Sequence, residues 1–89
     1  MSDPEAPKIE FPCAYPIKVM GDAEPDFRDM VVEVMSGFCG PIDDRDVSVK
    51  LSRTGKFSSV TVTITATGER QLQSIFEALK ATGRVQMVL

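Results

Sequence analysis

Hydrophobic positions along this chain switch between two periods. Tyr15, Ile17 and Val19 alternate with Pro16, Lys18 and Met20, which predicts a strand with one buried face. Pro16 sits near its start, where a missing N–H is tolerated, and Gly21 ends it. The period then lengthens. Phe27, Met30, Val31, Val34, Met35 and Phe38 recur at three- and four-residue steps, an apolar stripe along one helix. Pro25 and the acids Asp22, Glu24 and Asp26 suit its positive end, and Gly37, Gly40 and Pro41 stop it. Val47, Val49 and Leu51 return to alternation. Ser52 to Lys56 is a turn in which Gly55 is free to take positive φ. Val60, Val62, Ile64 and Ala66 alternate with threonines in a third strand, broken by Gly68. Leu72, Ile75, Phe76 and Leu79 mark a second helix closed by Gly83. Val85, Met87 and Leu89 alternate with Gln86 and Val88 in a last strand.

The order β-α-β-β-α-β, with right-handed crossovers, predicts an α+β protein. It is a ferredoxin-like two-layer sandwich, a four-stranded antiparallel sheet with two helices on one face. The helix stripes and the 15/17/19, 47/49/51, 60/62/64 and 85/87/89 faces make the expected core. The opposite sheet face is expected to show Lys18, Met20, Ser48, Lys50, Ser52, Thr61, Thr63, Thr65, Gln86 and Val88.

Composition adds limits. At 89 residues the chain makes one small domain. Such a chain hides about 60–65% of its unfolded surface, too little to enclose a large substrate cavity. Residues 1–10 carry prolines and charges without period and are expected to be a disordered tail, leaving the domain at 11–89. The N-terminus lacks the basic and apolar regions of a signal peptide, and no apolar run is long enough to span a bilayer. Cys13 and Cys39 are too few for a disulfide framework and are expected as free thiols in a reducing cytoplasm. The net charge of −3 argues against broad attraction to nucleic acid or anionic membrane.

The missing residues narrow the chemistry. The chain has no His, no Trp and no Asn. Without imidazole, a Cys–His or Ser–His nucleophile is impossible within one chain. Acyl-phosphate hydrolysis on this topology needs a side-chain amide to place water, with a phosphate cradle at the first strand–helix turn. Arg28 lies one turn into the helix and no Asn follows it. Soft-metal transfer needs paired thiolates in the first loop, and Gly21 to Pro25 holds none; a structural zinc site lacks its four ligands. The acids Asp43, Asp44 and Asp46 lie in a polar loop with Arg45 and read as solvated. No cofactor and no catalysis are expected.

Binding is what remains. Lys18, Gly21, Asp22, Lys50, Ser52, Arg53, Gly55, Lys56, Ser59 and Thr61 are the expected contact residues, at the first strand–helix turn, on the outward strand positions and in the 52–59 turn. A small effector or a partner protein is the expected ligand. The alternative is a weak single-stranded nucleic-acid binder using Lys18, Lys50, Arg53 and Lys56. The central strands show no outward aromatic for base stacking, with Tyr15 and Phe57 expected at core or rim. A homodimer through an edge strand is a further route. Lys50 and Arg53 guard the edge of the second strand, and the uncharged Val85–Leu89 strand reads as the more open one.

Three separated segments also carry a resemblance. Phe11-Pro12 leading into Pro16-Ile-Lys-Val-Met-Gly21, then Ser52-x-x-Gly55-x-Phe57-x-Ser59-Val60-Thr61, then Val85-Gln-Met-Val-Leu89 resemble the YbeD family of small uncharacterised bacterial proteins. The match runs from about Phe11 to Leu89, with the first helix and the 39–46 loop agreeing in pattern only. Members often carry Tyr where this chain has Phe57. The resemblance implies the same sandwich, similar in shape to ACT-type regulatory domains, in a bacterial cytoplasm. It carries no catalytic residue.

Overall fold

The structure, a computed structural model, describes residues 12–89, so the proposed tail lies outside the described residues. Strand β1 spans Cys13–Asp22, helix α1 Phe27–Cys39, β2 Val47–Leu51, β3 Phe57–Ala66, helix α2 Glu69–Ala81 and β4 Val85–Val88; a 3-10 turn at Asp44–Asp46 precedes β2. The sheet order is β2-β3-β1-β4, every neighbour antiparallel. This is the expected ferredoxin-like α+β sandwich. The paired central strands are longer than their hydrophobic signals. β1 runs on through Gly21 to Asp22, because its ladder with β3 continues to the Asp22–Phe57 pair. α1 also passes Gly37, an exposed position with open space around it, and stops at Gly40 with φ 79°.

The core forms where the two periods meet. Ile17 and Val19 of β1 and Val60, Val62, Ile64 and Ala66 of β3 face the helices. They pack with Phe27, Val31 and Met35 of α1 and Leu72, Ile75 and Leu79 of α2. Each large side chain removed from water there contributes about 1.5–3 kcal/mol. Phe38, the last position of the expected stripe, is exposed, because it lies on the final turn of α1 beyond Met35. Val49 and Leu51 of edge strand β2 share the inner face but are 47% and 60% exposed, because the helix layer ends before reaching them.

The last strand departs from simple alternation. Val19 pairs with Val88 and Met20 with Met87, but Gly21 pairs with Val85, so Gln86 is an extra residue in a β-bulge. Val85 and Val88 therefore face inward and pack on the core, while Met87 and Leu89 turn to the open face. Val85 keeps its expected inward face, while Val88, Met87 and Leu89 reverse the sequence expectation. The bulge sits where the chain crosses Gly21. A Cβ on Gly21 would collide with the Arg84 carbonyl oxygen and lie 2.6 Å from Phe27 Cε1, so only glycine lets ring, strand and loop meet there.

Candidate functional site

The open face of the sheet is a grid of three cross-strand rungs. The first reads Ser48, Thr61, Lys18 and Leu89; Lys18 N–H donates to the Leu89 carbonyl at 3.1 Å and receives the return bond at 2.8 Å. The second reads Lys50, Ser59, Met20 and Met87. The third reads Ser52, Phe57 and Asp22, and Gln86 Nε2 donates to Asp22 Oδ1 at 2.9 Å. Lys18, Met20, Lys50, Ser52, Phe57, Ser59 and Gln86, with Leu51 at the rim, line one shallow depression of about 440 Å³. Of the expected contact residues, Lys18, Asp22, Lys50, Ser52, Ser59 and Thr61 fall on this grid.

Arg53, Gly55 and Lys56 form the hairpin tip beside it. Gly55 takes φ 76°, and its N–H donates to the Ser52 carbonyl at 3.0 Å. Ser52 Oγ accepts from Phe57 N–H at 3.1 Å, which turns the side chain toward the turn it closes. The Lys56 carbonyl accepts from Ala23 N–H at 2.9 Å and ties the hairpin to the end of β1. Gly21 stands apart: it is buried on the inner face against Phe27, not on the grid.

The electrostatics divide the molecule. On the helix side two arginines are occupied: Arg84 bridges Glu24 at 2.6 Å and Asp26 at 2.7 Å, and Arg28 bridges Asp44 at 2.9 Å. The Arg84 hydrogen bond holds the Asp26 carboxyl below its ordinary value. This pairing uses two of the acids near the start of α1. Among the described residues, Lys18, Lys50, Arg53 and Lys56 have no carboxylate within ion-pair distance. The face thus offers two lysine ammoniums and serine and threonine hydroxyls around the apolar surface of Met20, Phe57 and Met87. Such a surface can hold an anionic group joined to an apolar one. The Asp22 carboxylate, which accepts from Gln86 Nε2, lies on the same grid.

Three of these residues depart from the sequence expectation. Phe57 is 39% exposed on the open face, an outward aromatic that the sequence reading placed at core or rim. The parity of β3 already contained this: Val60 points in, so Phe57 points out. Met87 and Leu89 depend on the bulge, for which the sequence has no local signal. The cysteines lie elsewhere. Both are unbridged, and partial burial pushes the Cys39 thiol up. Gln71 Nε2 approaches its sulfur at 3.9 Å. Among the described residues, no helix is long and apolar enough to cross a membrane.

Known proteins place the chain. Residues 6–89 match the family described as protein of unknown function DUF493. A UPF0250 protein of Azotobacter vinelandii is 55% identical over 89 residues, covering 99% of this chain and 97% of that protein. A UPF0250 protein of Pseudomonas aeruginosa is 52% identical over 88 residues, covering 98% and 95%. The solution structure of HP0495 from H. pylori superposes with a TM-score of 0.77 at 23% identity, covering 100% of this chain and 93% of that one, and shares the fold. The chain belongs to the DUF493 family of uncharacterised bacterial UPF0250 proteins, the YbeD family its strand segments resemble.

Proposed function

We propose that the domain is a non-catalytic binding module, and that its open sheet face receives a carboxylate joined to an apolar group. The source is a small effector or an acidic segment of a partner protein. One observation carries this reading: Lys18 and Lys50, unpaired among the described residues, flank half-buried Met20 and the exposed Phe57 and Met87 on one face. Lysine ammoniums beside an apolar floor favour a ligand that satisfies both at once.

The test is an NMR titration of the labelled domain in two arms: amino acids and amphipathic carboxylates in one, an acidic peptide with apolar residues in the other. Saturable shifts should cluster at Lys18, Met20, Lys50, Phe57 and Ser59. The double change Lys18→Glu and Lys50→Glu should weaken binding by about tenfold or more. Silence in both arms, or binding that survives the double change, removes the reading. Phe57 on the open face also favours a second reading, weak stacking of single-stranded nucleic acid. That reading requires oligonucleotide binding that falls steeply with salt and with Phe57→Ala.

A further inference from the structure

The edge strand β2 carries a second, independent feature. Ser52 N–H donates inward to the Phe57 carbonyl at 2.9 Å. In an antiparallel ladder the inward-bonding residues alternate, so Ser48 and Lys50 also bond toward β3. The N–H and C=O groups of Val47, Val49 and Leu51 then point away from the sheet. Among the described residues no strand pairs with them, since β2 ends the sheet. Their side chains lie on the helix-side face, where Val49 and Leu51 are 47% and 60% exposed. Beside them a cleft of about 380 Å³ opens against Ala23, Pro25 and Arg28. An edge with free backbone groups and apolar side chains is a template for strand addition.

We propose that β2 pairs antiparallel with β2 of a second copy, across a two-fold axis perpendicular to the sheet, giving one eight-stranded sheet with all helices on one side. The sequence is self-complementary in this arrangement. Centring the axis on Val49 sets Val47 opposite Leu51 of the other copy, so apolar side chains meet only apolar ones on the helix-side face. Ser48 falls opposite Lys50, which keeps the two lysines apart. Charge selects the same direction. The acids Asp43, Asp44 and Asp46 precede the strand, and Arg53 and Lys56 follow it. Antiparallel pairing brings the acidic start of each copy toward the basic end of the other, and places Asp46 opposite Ser52, one residue from Arg53. Parallel pairing sets like against like. The other edge is the poorer template: β4 is four residues long and bulged at Gln86, which breaks the regular ladder a partner would follow.

Sedimentation velocity between about 10 μM and 1 mM tests self-association in the range expected of a small interface. The expected result is a concentration-dependent dimer, weakened about tenfold or more by Leu51→Lys and by Val49→Pro. Leu51 is exposed in the single chain, so its change leaves the fold intact. Pro at 49 removes only an N–H that faces away from β3. Hydrogen exchange supplies a second readout: the Val47, Val49 and Leu51 amides should gain protection with concentration, while those of Ser48 and Lys50 stay protected throughout. A chain that remains monomeric at the highest concentration overturns the proposal. So does a dimer that survives both changes, or one that breaks on Met87→Asp instead. Lys18→Glu should leave the dimer intact, which separates this result from the fate of the open-face reading.

Discussion

At the scale of single residues, Gly21 shows how one position fixes several others. Its missing Cβ is the space in which the Phe27 ring and the Arg84 carbonyl approach β1. Phe27 is the largest fully buried side chain, and it anchors the first turn of α1 under the sheet. Gly21→Ala should therefore destabilise the fold by about 2 kcal/mol, read as a lower midpoint of urea unfolding. Glycine at this point was legible in the sequence only as a strand stop and an expected contact at the turn. The physical reason for it is a close approach between segments far apart in the chain, which no local pattern encodes. Gly55 and Gly83 are different, since their positive φ of 76° belongs to a turn and a helix end that the neighbouring residues already announce.

Among the elements, periodicity specified the kind and order of all six regular segments, because each buries one face and leaves the other wet. It failed where burial depends on what lies above the strand. Val49 and Leu51 have the inward parity of a core strand and still meet solvent, because β2 is at the edge and the helices do not cover it. It failed again in β4, where one extra residue reverses the faces of those that follow. The two placements differ in their mutational consequence. Val88→Asp should cost about 2 kcal/mol or more, since it drives a carboxylate toward the core. Met87→Asp, on the open face, should change stability by no more than about 0.5 kcal/mol. Equilibrium unfolding of the two variants reads this directly, and the reverse ranking would restore simple alternation in β4. The candidate site was half legible for the same reason: Lys18, Lys50, Ser59 and Thr61 follow from parity in β1, β2 and β3, whereas Met87 and Leu89 follow from the bulge.

For the whole molecule, Arg84 joins the start of β4 to the loop that begins α1. Its guanidinium reaches both Glu24 and Asp26. The hydrogen bond to Asp26 lowers that carboxyl below its ordinary 3.8. A carboxyl lowered by folding contributes stability above its unfolded value, and the contribution is lost as pH falls through the folded value. The melting temperature should therefore fall as the solution is acidified below about pH 4, and Arg84→Gln should make that fall shallower while leaving a lower plateau at neutral pH. Both groups meet solvent, so added salt should shrink the difference. Calorimetric scans across acid pH at two ionic strengths check it.

The separation of an acid-rich helix side from a basic open face reaches beyond any contact surface. Among the described residues the acids other than Asp22 lie on the helices and the loops beside them, while Lys18, Lys50, Arg53 and Lys56 stand at the opposite layer and its hairpin. The described residues thus carry a permanent dipole from the helix layer to the open face of the sheet. Within a screening length of about 8 Å in physiological salt, that dipole turns the molecule as it diffuses. A negatively charged body then arrives at the lysine layer first, and orientation becomes part of the encounter before any side chain touches.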